Sequence, residues 1–94
     1  MELVDLVGKK VLVGVTYLKS DDRVRKHIQV HGTVVDDQGW PALNIDKRKR
    51  LYRLPPYYDA FEKVEKSAVF ELLGTGEKVT GVEFTAVFFA KLAS

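Results

Sequence analysis

Polar and apolar positions alternate over a long stretch near the middle of the chain, residues 24–35. The even-numbered positions are mostly apolar, with Val24, Ile28, Val30 and Val34, and the odd-numbered positions are mostly polar. A period of two residues places the two sets on opposite faces of a β-strand, one for a core and one for water. Gly32 interrupts the pattern, as a bulge or sharp bend would. This strand is therefore predicted to belong to two sheets or to two walls of a barrel.

Other strands are predicted where β-branched and aromatic residues concentrate between turn signals. These strands lie at residues 9–18, 40–46, 51–54 and 68–73. The first seven residues favour one or two helical turns. Residues 57–66 have apolar positions at helical spacing, so this segment is either a short helix or a loop.

The last predicted strand, residues 79–92, is apolar on both faces. One face is wholly apolar, with Val82, Phe84, Ala86, Phe88 and Ala90. The other face carries Val87 and Phe89 among polar residues. Such a strand, at the edge of the sheet in a monomer, would be prone to intermolecular pairing. It is therefore either covered internally or paired with another chain. We expect a homodimer or small homo-oligomer with Val87 and Phe89 as the oligomer contact.

These elements predict a mainly β fold with a single domain over residues 1–94. Its form is a small, strongly bent, mostly antiparallel barrel of five or six strands. A short N-terminal helix and a short helical or loop lid at residues 55–66 complete the predicted architecture. Ninety-four residues leave no room for a second independent core.

The composition narrows the environment of the protein. No cysteine is present, so disulfides and thiolate metal sites are excluded and a cytoplasmic location is the default. The first residues are acidic where a signal peptide would be basic, which predicts a protein that is not exported. No stretch has the ~18 consecutive apolar residues of a membrane span, so no membrane partner is expected.

The net charge of +2 does not by itself indicate a nucleic-acid partner, but the charges are unevenly distributed. Residues 1–54 hold 11 Lys and Arg against 7 Asp and Glu, which is +4, and the remainder holds 4 against 6, which is −2. The basic excess is centred on a predicted hairpin tip, with Lys47, Arg48, Lys49 and Arg50, and Arg53 lies close by. This tip would attract a polyanion in a salt-dependent way. A solvated loop that protects a sheet edge explains the same charges, and we favour that interpretation.

The densest aromatic and proline stretch follows the fourth predicted strand. It contains Tyr52, Tyr57, Tyr58 and Phe61, with Trp40 as a possible neighbour from the third strand. If exposed, these rings would bind a peptide or a flat ligand, as aromatic grooves on small barrels do. If buried, they form a lid over the open end of the barrel, which is the interpretation that we prefer.

No pattern indicates catalysis, a cofactor or a metal. His27 and His31 share one strand face, but four residues of strand separate them by ~13 Å, too far to share one ion. Turn chemistry explains the paired acids at residues 21–22 and 36–37. The glycines at residues 74–76 lack the Lys-Ser/Thr ending of a phosphate-binding loop. We therefore expect no enzyme, no catalytic residue, no cofactor and no metal site.

Residues 6–54 resemble the Sm-like type of small five-stranded barrel. The likeness rests on residues 8–11, Gly-Lys-Lys-Val, at the entry to strand one, and on residues 32–36, Gly-Thr-Val-Val-Asp, at the end of strand two. Leu43 would take the apolar position on strand three. Sm-like RNA binders place an Asn in the loop after strand two, whereas residues 37–40 contain none. Their second motif, an apolar run into Arg-Gly, is also missing, so RNA binding is not carried over.

The whole chain also resembles small, stand-alone, uncharacterised bacterial proteins. These have a Leu-Pro-Pro segment after the fourth strand and a Gly-Thr-Gly-Glu turn before the last, found here at residues 54–56 and 74–77. That resemblance implies a barrel fold and no known activity.

Three functions remain open at this point. The first is a non-catalytic interaction module that self-associates and binds a protein partner. The second is a small nucleic-acid-binding protein that uses the basic tip. The third is binding of a small ligand under the lid.

Overall fold

The computed structural model describes residues 1–45 and 50–91. Helix α1 spans Leu3–Leu6, and a single 3-10 turn spans Tyr58–Ala60. The strands are β1 (Lys10–Leu18), β2 (Val24–Asp37), β3 (Trp40–Asn44), β4 (Tyr52–Arg53), β5 (Glu62–Lys63), β6 (Phe70–Glu71), β7 (Lys78–Val79) and β8 (Phe84–Lys91). The described helices are all too short to cross a lipid bilayer.

The fold is mainly β and begins with a short helix, as the sequence predicts. One sheet has the strand order β4-β3-β2-β1-β8-β5, and β6 and β7 form a separate hairpin. Within the described residues this sheet is open, with β4 and β5 at its edges, so closure into a barrel stays a prediction. The expected antiparallel arrangement holds for every described pairing except one, because β1 and β8 run parallel.

Strand β2 is long, and it changes partners near its middle. It pairs with β1 as far as Thr33 and with β3 from Thr33 onwards. Gly32 lies at this change, where a Cβ atom would overlap the backbone carbonyl oxygen of Asn44. The glycine predicted to mark a bend is thus needed because β3 approaches the β2 backbone closely.

Strand β1 supplies side chains to two hydrophobic clusters on its opposite faces. The first cluster consists of Leu6, Val11, Val13, Val15, Val30, Val34, Leu43, Leu54, Phe61, Phe84, Ala86 and Phe88. The second is smaller and consists of Leu12, Leu72, Val79 and Val82. The β6–β7 hairpin therefore covers one end of β1 on the face opposite the main core.

The predicted strand at residues 79–92 is divided in two. Gly81 adopts a φ of +73°, in the left-handed region that favours glycine, and the chain changes direction between β7 and β8. As a result Val82 enters the second cluster, whereas Phe84 enters the first. Within β8 the alternation is as predicted, since Phe84, Ala86 and Phe88 are buried while Val87 and Phe89 are exposed.

The segment after β4 forms no regular helix. A 3-10 turn at Tyr58–Ala60 leads directly into β5. Tyr58 and Ala60 pack against the first cluster, and Phe61 lies inside it. The segment thus lies over one side of the main core.

Replacing Gly32 by Ala is expected to lower the free energy of unfolding by about 1–3 kcal/mol, because the added methyl group meets a backbone oxygen that no rotamer change can move. The matched control is Gly14→Ala in β1, where an added Cβ meets nothing within 4 Å. That control should leave stability unchanged or raise it by up to about 1 kcal/mol. Urea denaturation of both variants measures the difference, and equal stabilities would contradict the close approach at Gly32.

Candidate interaction surface

Where β2, β1 and β8 lie side by side, one face of the sheet has exposed side chains on its two outer strands, whereas Thr16 on the middle strand is buried. The register places two transverse rows of side chains on this face, His27–Thr16–Phe89 and Gln29–Gly14–Val87. We call these six positions the open face. It lies on the side of the sheet opposite the first cluster, because its residues alternate with buried residues of that cluster.

The apolar side chains of the open face are accessible to solvent. Phe89 is 70% exposed and Val87 is 59% exposed. Gly14 lies between Val13 and Val15, whose side chains are buried on the other side of the sheet. A Cβ at Gly14 would meet nothing within 4 Å, so the face has a dent at its centre.

The β6–β7 hairpin forms a wall at one end of the open face. It packs over Leu12, the next residue of β1 on this side of the sheet. The backbone N–H of Leu73 donates a hydrogen bond of 2.9 Å to Oε1 of Gln29, which ties the hairpin to β2. The Leu73 side chain is 90% exposed beside this contact. A small cavity of about 180 Å³ lies between the hairpin and the side chains of His27 and Gln29.

Polar groups around the open face have partners within the chain. A 2.8 Å hydrogen bond joins Thr16 Oγ1 to His27 Nδ1. His31 lies 3.9 Å from the Glu77 carboxylate, measured from Nε2 to Oε1. The two histidines thus contact different partners, and in residues 1–45 and 50–91 no three His, Asp or Glu side chains are placed to hold a metal ion.

The aromatic residues predicted as a partner or ligand surface do not share one environment. Phe61 is only 5% exposed, and its ring packs edge-on against Phe88 with centroids 5.8 Å apart, so it is a core residue rather than a surface one. Tyr52 and Tyr58 are half-buried against the same cluster. Tyr57 is exposed beside Phe88.

Trp40 is exposed on β3, the strand next to the edge strand β4. Its ring lies beneath the Arg53 guanidinium, 6.0 Å from the ring centroid. Arg53 Nε also donates to the Asp37 carboxylate at 2.9 Å. Arg53, predicted as a phosphate contact, therefore already has an anionic and an aromatic partner.

The rest of the predicted basic tip is only partly placed. Lys47, Arg48 and Lys49 lie outside the described residues, and Arg50 is exposed. The nucleic-acid interface proposed for this tip stays a prediction.

Glu83 joins the start of β8 to the start of β1. Its backbone N–H donates to the Lys10 carbonyl at 2.8 Å, and its Oε2 accepts from the Lys10 backbone N–H at 3.2 Å. The ammonium of Lys66 lies 3.2 Å from Oε1. The hydrogen bond from the Lys10 backbone, followed by that from Lys66, holds the pKa of Glu83 below its ordinary value, against the smaller opposing effect of burial.

No family model matches the chain, and comparisons with curated proteins and with solved structures found no match. The function is therefore inferred from the surface itself.

The sequence predicts only Val87 and Phe89 of the six open-face positions as contacts, and it misses Gly14 at the centre and Leu73 beside the face. Gly14 interrupts a run of β-branched residues, a signal for a strand position left without a packed side chain. Leu73 is predicted as the last residue of a strand at residues 68–73, whereas β6 ends at Glu71 and Leu73 is exposed beyond it.

Glu83→Gln is expected to lower the melting temperature at neutral pH, because a neutral amide loses the attraction of Lys66 and Lys9. A carboxylate whose pKa is lowered by folding stabilises the fold above its unfolded pKa, and this contribution disappears as the pH falls through the folded pKa. The difference between wild type and variant should therefore be full near pH 7 and shrink below 4.5, the ordinary value for this group.

Melting temperatures measured by circular dichroism at stepwise pH give this comparison. Glu65→Gln is the matched control, since Glu65 is exposed and has no described ion pair. A pH-independent difference for Glu83→Gln would contradict the electrostatic account.

Proposed function

We propose that the protein is a non-catalytic interaction module that self-associates and binds a protein partner through the open face. The observation that carries the proposal is the exposure of Val87 and Phe89 side by side on β8, at one side of a three-stranded face. Exposed large apolar side chains that lie together on a folded protein are typical of sites for protein association. Scattered single residues would not support the same conclusion.

The chemistry of the face favours protein over a polyanion. Its apolar part is formed by Val87 and Phe89, with Leu73 at the hairpin end. The nearest cation on β8, Lys91, lies 3.0 Å from the Asp22 carboxylate, so its charge is locally balanced. An apolar patch beside polar residues is common in protein interfaces.

The two alternative functions receive less support from the described residues. Arg53 is engaged by Asp37, which removes one proposed phosphate contact from the basic tip. The ring of Phe61 lies directly against Phe88, where a ligand under the lid would need space.

Phe89→Asp is expected to abolish self-association, because a charge within the contact would have to lose its hydration in the complex. Sedimentation velocity from about 5 µM to about 500 µM covers the range in which micromolar complexes dissociate. The wild type should show a sedimentation coefficient that rises with concentration, and the variant should not. Phe89→Thr, which keeps a residue favoured in strands, should weaken association in the same direction.

Val4→Asp is the matched control for this substitution. Val4 is also an exposed apolar residue, but it lies on helix α1, which packs on the other side of the sheet. This control should associate like the wild type. A wild type that stays monomeric at every concentration would contradict self-association, and equal association of all variants would exclude the open face as the contact.

A further inference from the structure

The open face contains both a projecting ring and a dent. Phe89 projects from β8, and Gly14 leaves β1 without a side chain. Gly14 is opposite Val87, and the next row places Thr16 opposite Phe89. From the spacing of strands and residues, Phe89 and Gly14 lie roughly 8 Å apart on the same face.

A projection and a dent on one surface are self-complementary under two-fold symmetry. In an isologous pair each protomer offers the same patch, so any contact between two different positions occurs twice. The two-fold axis lies within the interface, parallel to the face, and passes midway between Phe89 and Gly14 at right angles to the line that joins them. This operation brings each ring onto the other protomer's glycine. An aromatic ring seated on a strand glycine contacts flat backbone on its underside and the flanking side chains at its edges.

The charges at the two ends of the face fit the same arrangement. Lys91 lies beyond Phe89 on β8, whereas Glu77 lies beyond Gly14, beside His31 on the hairpin side. A two-fold operation that exchanges Phe89 with Gly14 also exchanges these two ends. It therefore brings the Lys91 end of one protomer towards the Glu77 end of its partner. The pair that Lys91 makes with Asp22 is exposed and therefore weak, so it leaves Lys91 able to attract Glu77 of the partner.

The extent of the face limits the strength of such a dimer. Three strands and two rows of residues give a footprint of roughly 200 Å² on each protomer. Stable complexes typically bury about 800 Å² on each partner. The dimer should accordingly be transient, with a dissociation constant in the micromolar range or weaker.

We infer that the open face binds a second copy of this chain by two-fold stacking, with Phe89 of each protomer seated on Gly14 of its partner. This inference rests on the proposed function and specifies the partner and the contact. It requires that Gly14 be glycine for association, although folding does not require it. Association and folding can therefore be measured separately in variants of Gly14.

Gly14→Val is the decisive variant. The added side chain meets no described atom and suits a strand, so the melting temperature should stay the same or rise. The same side chain fills the dent, so the dissociation constant of the dimer should rise by about tenfold or more. Gly14→Ala should give a smaller increase, because it fills less of the space.

Sedimentation velocity over the same concentration range, with thermal denaturation of each variant at low concentration, separates the outcomes. Weaker association of Gly14→Val at an unchanged melting temperature supports the contact between Phe89 and Gly14. If Gly14→Val associates as strongly as the wild type while Phe89→Asp does not associate, the contact between Phe89 and Gly14 is overturned, but self-association through the open face is retained. A wild type without any association overturns both proposals and leaves the face to a different protein.

A charge exchange provides an independent measurement of the two-fold arrangement. Lys91→Glu and Glu77→Lys should each weaken dimerisation, and the double variant should recover part of the loss. A double variant weaker than both single variants would contradict the proposed orientation, whatever the behaviour of Gly14→Val.

Discussion

The structure depends on the position of β1 in the middle of the sheet, paired along nearly its whole length on both sides. Its backbone groups are satisfied by β2 on one edge and β8 on the other. Each of its two faces must then be covered or left to solvent. Val11, Val13 and Val15 make one face the centre of the main core. On the other face, Leu12 is covered by the β6–β7 hairpin, whereas Gly14 is not covered.

Much of this arrangement follows from the residue pattern. A strand with one buried face must alternate in polarity, so the periodicity correctly indicated the buried side chains of β8 and, in β2, those of Val30 and Val34. It placed Phe84 and Phe88 inside and Phe89 outside, as observed. Val24, which the pattern placed on the core face, is exposed because it lies at the end of β2. Gly32 was also informative, since a glycine within a strand signals a close approach of other backbone. In both cases the feature depends on residues within one strand, so it can be recognised from the local sequence.

The remaining features depend on contacts between distant segments. Residue pattern does not encode the direction of a pairing partner, so the parallel match of β1 with β8 could not be derived from it. The β6–β7 hairpin was hard to place because two-residue strands are too short to show alternation. The break at Gly81 divides a segment predicted as one strand, because a single glycine within an apolar segment does not reveal that its φ is left-handed. The open face, finally, is visible only when three strands are assembled in register.

The parallel pairing of β1 with β8 has a consequence for how the chain reaches its native state. Val11 pairs with Phe84, so a long intervening segment must be closed into a loop before that ladder forms. Loop-closure entropy makes such non-local pairings slow and late in folding. During translation β1 emerges early, while its second neighbour is still to be synthesised. Until β8 arrives, one edge of a strongly apolar strand is bare, and the nascent polypeptide is exposed to intermolecular strand pairing and to capture by chaperones.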